Sequence, residues 1–347
     1  MVSALSRVLT PINPEWSVPQ LQEHLARALS GEGPALSTNQ VRETVVDPRV
    51  ALVVRTSGST GNPKSVALAA AALLANARAT HAFLGAKSGE RWSLLLPTSH
   101  IAGLNVVIRA IELGTLPVSL NEHADYSAVV PTQLFRAING DSALLAHLQQ
   151  CRRVLVGGGA LDSSLRIRAE DAGVNVVESY GMTESCGGVI YDGIPLAGVN
   201  VKVVEGLIAL QGAQINPTYL DCEINIDDGW FVTSDLGEVI GGRVVVKGRS
   251  DDQIISGGEK ISLSAIETFL REQFSNQEIV AFAKPDTEWG ERLCIAATKS
   301  IPHDQVLKQL QEKFGRHVAP KEFFTVASIP YLGIGKPDRK KLAHDNS

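Results

Sequence analysis

Residues 53–66 read VVRTSGSTGNPKSV, a run in which two glycines and four hydroxyl side chains precede a lysine. The apolar segment before it, residues 50–56, is typical of a buried strand. Glycines let backbone N–H groups approach an anion closely, hydroxyls add hydrogen-bond donors, and Lys64 adds positive charge. The stretch therefore predicts a phosphate-binding loop after a strand. A polar turn between two strands is the simpler alternative.

The spacing of this stretch excludes the Walker loop of nucleoside triphosphatases. A Walker loop has the form G-x-x-x-x-G-K-[ST], in which the lysine directly follows the second glycine. Here Asn62 and Pro63 separate Gly61 from Lys64. A phosphate-binding role therefore requires a loop of another class.

The composition is that of a globular protein and does not favour nucleic acid as a partner. The chain has 347 residues, of which 44% are hydrophobic and 20% are charged, and its formal net charge is −5. This length favours two domains. The densest basic cluster is Arg339–Lys341, which is too short for a nucleic-acid-binding arm and is interpreted as part of a solvated tail.

Cysteine spacing and apolar runs bear on metal binding and compartment. Cys151, Cys186, Cys222 and Cys294 are scattered, so the sequence predicts neither zinc held by paired cysteines nor a disulfide scaffold. The longest apolar run, Val66–Ala75, is far shorter than the roughly 20 residues of a membrane span. The N-terminus shows no secretory signal pattern. We expect a cytoplasmic protein; its oligomeric state stays open, with a homo-oligomer among the alternatives.

Alternating strand and helix patterns indicate an α/β fold with parallel strands in the first half of the chain. Helices are predicted over residues 18–29, 69–84 and 161–173, and strands over residues 50–56, 92–97, 115–120, 152–159 and 174–181. From about residue 198 the pattern becomes β-rich, with hairpin signals at residues 227–229 and 241–242. A helix after residue 262 would be capped by Ser262 or Ser264.

Six motifs in order resemble the adenylate-forming enzymes, which include acyl-CoA synthetases, peptide-synthetase adenylation domains and luciferases. The loop resembles that family's [ST]-S-G-[ST]-T-G-x-P-K-G-V signature, with Ser65 in place of the Gly that follows the Lys. The later motifs are GGGAL (157–161), ESYGMTE (178–184), TSDLGEV (233–239), KGRSDDQIISGGEKIS (247–262) and GIGKPDR (333–339). Each motif is weak alone, and their order over residues 51–339 is specific. The resemblance implies a large N-terminal α/β domain with a β-rich subdomain (1–248) and a small mobile C-terminal α+β domain (249–347), with a hinge near Asp251.

The resemblance implies an ATP site with Mg²⁺. The residues implied to bind ATP are Thr56, Ser57, Gly58, Ser59, Thr60, Gly61, Lys64, Gly158, Gly159, Ala160, Ser179, Tyr180, Gly181, Met182, Thr183, Asp235, Arg249 and Lys336. Among them, Thr183 would contact the α-phosphate and Lys336 would bridge it to the substrate carboxylate. Glu184 would hold Mg²⁺, which commonly uses one or two carboxylates. Taken singly, Asp235 could be a turn former, Tyr180 a core residue and Lys336 a solvated charge.

In the second half-reaction of this family, coenzyme A attacks the acyl-adenylate. By resemblance, Gly257 and Gly258 would line the pantetheine tunnel, where a side chain would block it. An ordinary tight turn is the alternative explanation for this Gly-Gly pair.

The segment Pro97–Val118 indicates which carboxylic acid would be the substrate. The pattern His100-x-x-Gly-x-x-x-x-x-Arg109 resembles the o-succinylbenzoate–CoA ligases of menaquinone biosynthesis, and the segment Tyr180–Val199 resembles their compact actinobacterial type. Arginine among apolar residues needs an anionic partner, which would be Glu112 three residues on or a second carboxylate of the substrate. Besides His100 and Arg109, the residues implied for the acid are Gly181, Gly187 and Gly188, the last two leaving room for a flat ring.

Two alternatives stay open at this point. The same chemistry could act on another aromatic or short carboxylic acid. A catalytically inactive adenylate-binding or scaffold protein is the other, and the presence of Thr183, Glu184, Asp235, Arg249 and Lys336 argues against it. The partners expected are a small carboxylic acid, ATP and coenzyme A, with no nucleic acid.

Overall fold

The structure, a computed structural model, describes residues 6–56, 64–215, 218–220, 224, 226–256, 258–274, 277–287, 289–332 and 336–346. The helices in this part of the chain are α1 (Val18–Ser30), α2 (Ala70–Leu84), α3 (Ile101–Leu113), α4 (Pro131–Ile138), α5 (Ser142–Gln150), α6 (Ser163–Asp171), α7 (Leu263–Gln273), α8 (His303–Phe314) and α9 (Arg339–Asp345). A 3₁₀ turn spans Thr183–Ser185. None of the helices described is long and apolar enough to cross a membrane.

The strands are numbered in chain order. They are β1 (Arg7–Pro11), β2 (Ala35–Ser37), β3 (Val45–Val46), β4 (Val50–Thr56), β5 (Lys64–Ala69), β6 (Trp92–Ser93), β7 (Tyr126–Val129), β8 (Arg153–Gly157), β9 (Val176–Met182), β10 (Gly187–Tyr191), β11 (Ile194–Pro195), β12 (Val199–Val204), β13 (Leu207–Gly212), β14 (Thr218–Tyr219), β15 (Ile226–Asp227), β16 (Trp230–Ile240), β17 (Arg243–Arg249), β18 (Gln253–Ser256), β19 (Glu259–Ser262), β20 (Ile279–Asp286), β21 (Gly290–Ala297), β22 (Glu322–Thr325), β23 (Tyr331–Leu332) and β24 (Lys336–Pro337).

Two mixed sheets and the helices between them confirm the predicted α/β class. The first sheet has the order β14-β5-β4-β2-β1-β3, with β1, β2 and β4 parallel. The second has the order β11-β10-β9-β8-β7-β6, with β6 to β9 parallel. Helix α3 lies between them, since its Leu104 and Ile108 pack in the core of the first sheet and its Val106 and Leu113 in the core of the second. This placement buries α3 on nearly every side.

The β-rich region after residue 198 is confirmed as a third, antiparallel sheet of order β12-β13-β16-β15, with β17 added beside β16. Both predicted hairpin turns are present. Asp228 and Gly229 have φ of 45° and 75°, and Gly241 and Gly242 have φ of 56° and 79°. Positive φ at both central residues is the mark of the type I′ turns that match strand twist.

A fourth sheet, β19-β18-β21-β20 with β22 beside β21, packs against α7 and α8 around a core of its own. Ser262, rather than Ser264, caps α7 by accepting a hydrogen bond from the Ala265 backbone. The interpretation of Arg339–Lys341 as a solvated tail is wrong for Arg339, which forms ion pairs of 2.8 Å with both Asp252 and Glu267. The division into domains near residue 249 stays a prediction.

Two predicted strands are shorter than expected. The segment 92–97 is a strand only over Trp92–Ser93, and the segment 115–120 contributes a single bridge, Val118 to Ser93. In the segment 115–120, Pro117 contributes to this, because proline has no N–H to donate to a strand ladder. The predicted helices 18–29, 69–84 and 161–173 are confirmed to within two residues at each end.

Candidate active site

A cavity of about 550 Å³ opens where the carboxyl ends of β4, β7, β8 and β9 approach α3 and the third sheet. Ligands of α/β proteins commonly bind at this edge of a parallel sheet. Twelve of the residues implied by sequence line it: Thr56, Lys64, Arg109, Gly158, Ser179, Gly181, Met182, Thr183, Glu184, Gly187, Gly188 and Arg249. Residues separated by up to about 190 positions in the chain are thus brought to one place.

The phosphate-loop prediction is described only at its two ends. Thr56 and Lys64 face each other as the last pair of the β4–β5 ladder, and the Thr56 hydroxyl donates to the Lys64 carbonyl at 3.4 Å. Residues 57–63, which include Ser57, Gly58, Ser59, Thr60 and Gly61, lie outside the described residues. Both residues that flank the predicted loop, Thr56 and Lys64, line the cavity.

Tyr219 connects the two oppositely charged groups at this end of the cavity. Its hydroxyl donates to Glu184 Oε1 at 2.7 Å, and the Lys64 ammonium lies 4.9 Å from the centre of its ring. The ring thus offers a cation–π contact to Lys64. Tyr219 lines the cavity and was missed by sequence reasoning, since nothing in the local pattern of β14 marks it.

Glu184 has the donor chemistry that Mg²⁺ requires in a nucleotide site. One of its carboxylate oxygens is fixed by Tyr219, and the residue lines the cavity beside Thr183. No group of three His, Cys, Asp or Glu side chains suited to a metal occurs in the described ranges. A single carboxylate fits Mg²⁺, which keeps several waters and takes phosphate oxygens as further ligands.

Close backbone packing explains the glycines at the floor of the cavity. A Cβ on Gly181 would collide with the Gly187 carbonyl, and one on Gly187, which also has a φ of 101°, would collide with the Asn105 amide. A Cβ on Gly188 would collide with the Ser179 hydroxyl. Gly181 and Gly188 are therefore required by the approach of β9 to β10, and Gly187 by the approach of α3.

Asp235 lies behind the cavity wall between two partners. Tyr180 donates its hydroxyl to Asp235 Oδ2 at 2.7 Å, and Arg249 Nη1 lies 3.3 Å from Asp235 Oδ1. Arg249 also pairs through Nε and Nη2 with both oxygens of Asp251, at 2.6 and 2.7 Å. The Asp251 hydrogen bond, followed by Asp235, raises the pKa of Arg249, while burial and then Asp235 raise the pKa of Tyr180. The predicted sugar-binding pair is thus an ion pair in this structure.

Arg109 lies in a corner of the cavity, is 4% exposed and forms no salt bridge within the described part of the chain. The alternative in which Glu112 neutralises it is wrong, because Glu112 accepts from Arg78 at 2.6 Å. Arg109 Nη2 instead donates to the Tyr191 hydroxyl at 3.3 Å, and its guanidinium lies 4.9 Å from the centre of the Trp92 ring. Burial lowers the pKa of Arg109.

The remaining predicted residues lie around this cavity or outside the residues that the structure describes. His100 is the N-cap residue of α3, directly before Ile101, which lines the cavity; burial lowers its pKa. Gly159 and Ala160 are exposed beyond the lining residue Gly158. Gly258 lies in the β18–β19 hairpin with φ of 84° and open space around its Cα, as a tight turn requires. Gly257 and the side chain of Lys336 lie outside the described residues.

Asn105 is a second residue that sequence reasoning missed. It lies one turn before Arg109 on α3, lines the cavity and donates to the Cys186 carbonyl at 2.8 Å. The i,i+4 spacing to Arg109 puts both residues on one face of the helix. A polar residue at that spacing in an apolar helix was a usable signal for a shared site.

Comparisons with known proteins bear on the family and the fold of this chain. The sequence pattern described as AMP-binding enzyme matches residues 5–208. The chain is 35% identical over 376 aligned positions to a probable 2-succinylbenzoate–CoA ligase of Mycobacterium tuberculosis, covering 99% of this chain and 94% of that protein.

Solved structures of similar fold include two enzymes. One is the o-succinylbenzoate CoA synthetase (MenE) of Bacillus subtilis in complex with the acyl-adenylate intermediate OSB-AMP; its TM-score is 0.73 at 22% identity, covering 96% of this chain and 82% of that one. The other is ATP-bound MatB of Rhodopseudomonas palustris, with a TM-score of 0.75 at 20% identity and coverage of 97% and 83%. At these identities the likeness shows the fold and does not select an acid.

Proposed function

Since the chain belongs to the AMP-binding enzyme family, we propose that it is an acid–thiol ligase that consumes ATP in two steps. In the first, a carboxylate oxygen of the substrate bonds to the α-phosphorus of ATP, and pyrophosphate leaves with the electron pair of the broken P–O bond. In the second, the thiolate of coenzyme A bonds to the acyl carbon, and AMP leaves with the electron pair of the broken C–O bond. The products are an acyl-CoA, AMP and pyrophosphate.

The first step brings two anions together, so the site must supply positive charge and hold the groups in line. We assign the β- and γ-phosphates to Thr56, Lys64 and the loop between them, because both described ends line the cavity. Thr183 is assigned to the α-phosphate and Lys336 to the bridge between that phosphate and the attacking carboxylate. Mg²⁺, held through Glu184, would neutralise part of the phosphate charge.

The nucleoside is assigned to Tyr180, Asp235 and Arg249, of which Arg249 lines the cavity and contacts Asp235. The adenine would lie on Tyr180, near the lining residue Gly158, and the ribose hydroxyls would meet the Asp235–Arg249 pair. For the second step we assign coenzyme A to the Gly257–Gly258 turn, with residues 249–347 acting as a lid that turns near Asp251. The cytoplasm, where ATP and coenzyme A are available, is the proposed compartment.

The proposed acid is 2-succinylbenzoate, a dicarboxylate. The observation that carries this choice is Arg109, a buried guanidinium in the cavity with no carboxylate partner among the described residues. Only one carboxylate is consumed by the reaction, so a second carboxylate is available to pair with Arg109. The similarity to the M. tuberculosis 2-succinylbenzoate–CoA ligase supports the same acid.

The test is a panel of acids assayed for ATP- and CoA-dependent thioester formation and pyrophosphate release, with Arg109→Ala beside the wild type. Charged hydrogen bonds contribute about 1.5–3 kcal/mol, so KM for 2-succinylbenzoate should rise about 10- to 150-fold in Arg109→Ala, with KM for ATP nearly unchanged. The KM of Arg109→Lys for 2-succinylbenzoate should lie between those of the wild type and Arg109→Ala, because lysine keeps the charge and loses the planar fork.

Arg78→Ala is the matched control, since it removes the arginine that pairs with Glu112 on the outer side of α3. Its KM for the acid should stay at the wild-type value. Turnover of benzoates or fatty acids without turnover of 2-succinylbenzoate would refute the choice of acid and leave an acyl- or aryl-CoA synthetase of other specificity.

A further inference from the structure

We propose that Tyr191, held in turn by Thr80, is a positioning residue that orients the Arg109 guanidinium toward the second carboxylate of the acid. This inference rests on the proposed function, because it names how the same site recognises its substrate. Neither residue lines the cavity, so both act through Arg109.

The hydrogen bonds around Arg109 have a defined direction. Arginine can only donate, so Tyr191 accepts from Arg109 Nη2 at 3.3 Å. The phenol proton of Tyr191 is then free for the Thr80 hydroxyl, 3.0 Å away. Thr80 and Tyr191 are both 0% exposed, so water does not compete for these bonds. The chain of hydroxyls therefore fixes one edge of the guanidinium.

Aromatic rings fix the plane of the guanidinium. Its carbon lies 4.9 Å from the centre of the Trp92 ring, a cation–π distance. Trp92 is fully buried and packs on Tyr126 with ring centres 5.1 Å apart. The edge of Phe83 packs on Tyr191 at 5.2 Å and 90°. Rotation of either Trp92 or Tyr191 is therefore blocked by a second ring.

The groups around Arg109 leave its charge available to a ligand. The protein partner at Nη2 is a neutral hydroxyl, whereas a carboxylate there would cancel the charge that the substrate needs. His81 is the nearby titratable group, and burial followed by the Arg109 charge lowers its pKa to about 4, so it is neutral at physiological pH. Arg109 Nε and Trp92 Nε1 are buried and have no acceptor among the described residues. Two unsatisfied buried donors on side chains that contact each other point to an acceptor that the described protein atoms do not supply.

The experiment compares Tyr191→Phe and Thr80→Val with Tyr126→Phe as the matched control. Tyr126 is also a fully buried tyrosine, also packs on Trp92, and donates to Glu90 away from the cavity. In Tyr191→Phe the KM for 2-succinylbenzoate should rise about fivefold, since Arg109 keeps its charge and loses only the hydrogen bond that orients it, while kcat and KM for ATP stay within about twofold. Thr80→Val should shift KM in the same direction by less, and Tyr126→Phe should not shift it.

A second substrate separates positioning from a general structural effect. The two monoacids, 2-acylbenzoate and 4-oxo-4-phenylbutanoate, each keep one of the two carboxylates. For whichever monoacid the enzyme turns over, Tyr191→Phe should match the wild type, because the carboxylate that meets Arg109 is absent. A KM rise of equal size for the monoacid and the diacid would overturn the proposal, as would an unchanged KM for the diacid in a folded Tyr191→Phe protein.

Failure of the proposed function is a different result. If the wild type does not turn over 2-succinylbenzoate, the acid assignment fails, and the positioning role is decided with the preferred acid of the panel. An unchanged KM in both Tyr191→Phe and Thr80→Val would then overturn it. Thermal melting of each variant identifies unfolded protein, and Thr80→Val serves alone if Tyr191→Phe does not fold.

Discussion

At the residue scale, Arg7 and Arg109 show two ways in which this chain buries a guanidinium. Arg7 donates to the backbone carbonyls of Gly33, Val50 and Ala28, and so joins the end of α1 to β4. Arg109 has one hydroxyl partner and an unsatisfied Nε. Burial alone therefore does not mark a binding residue; the difference lies in whether the protein satisfies the donors.

His81 gives a prediction about pH. Its folded-state pKa is lowered from 6.5 to about 4, first by burial and then by the Arg109 charge, and raised slightly by Glu112 and Glu90. Between these two values the unfolded chain binds more protons than the folded one, so the free energy of unfolding falls as pH falls. The loss should be about 2 kcal/mol between pH 7.5 and pH 5.

The measurement is urea unfolding of wild type and His81→Gln at both pH values. Glutamine does not titrate, so the stability difference between the two proteins should shrink by that amount on acidification. His344→Gln, at an exposed position of α9, is the control and should follow the wild type. Equal pH dependence in wild type and His81→Gln would show that His81 is not held neutral.

At the element scale, the short strand β14 sets the geometry at the end of the cavity where Lys64 and Glu184 lie. It pairs Thr218 and Tyr219 with Ala67 and Val66 of β5, and this register places the Tyr219 ring beside Lys64 and its hydroxyl on Glu184. Lys64 and Glu184 therefore both contact Tyr219, and in the described structure they form no direct ion pair with each other. This arrangement is compatible with the roles proposed for Lys64 toward phosphate and for Glu184 toward Mg²⁺.

Replacing Tyr219 tests this arrangement. Tyr219→Phe removes the bond to Glu184 and keeps the ring, so Mg²⁺-dependent ATP affinity should fall about fivefold with little change in ATP affinity without Mg²⁺. Tyr219→Leu also removes the cation–π contact and should weaken ATP binding in both conditions. Isothermal titration calorimetry with and without Mg²⁺ provides the measurement, independent of turnover.

Tyr331→Phe is the control, because Tyr331 donates to a glutamate, Glu278, at 2.6 Å in the C-terminal part of the chain. It should leave ATP affinity unchanged. If Tyr219→Phe lowers affinity equally with and without Mg²⁺, the hydroxyl supports the nucleotide directly rather than through Glu184.

At the scale of the whole molecule, Arg339 joins segments that are far apart in sequence. It pairs with Asp252 just after the third sheet and with Glu267 on α7, and it donates to the Ala281 carbonyl of β20 at 2.8 Å. Glu267 is 4% exposed, so losing Arg339 removes charge compensation from a buried carboxylate. The C-terminal helix is thereby tied to the residues beside Arg249.

Arg339→Met should lower the free energy of unfolding by about 2–3 kcal/mol, because charged hydrogen bonds are lost while Arg271 still pairs with Glu267. Chemical unfolding measures this, with Lys340→Ala at the adjacent exposed position as control. A stability equal to that of Lys340→Ala would show that the buried pairs do not hold this part of the chain together.

Much of the architecture was predictable from local sequence. The α/β class, the helices at residues 18–29 and 69–84 and both type I′ hairpins follow from periodicity and turn chemistry, which depend on neighbouring residues. The strand at 92–97 was overestimated, because only Trp92 and Ser93 pair with β7. Among the described residues, twelve of those implied by the motifs line the cavity.

The elements and the order of the family's motifs along the chain thus follow from local sequence. The partner that each charge meets depends on tertiary packing. Glu112 pairs with Arg78, 34 residues away, rather than with Arg109, and Arg109 meets Tyr191, 82 residues away. The physical reason is that the side chains of α3 point in different directions around the helix. Spacing along the helix therefore gives candidate partners, and the packing of the sheets on its two sides selects among them.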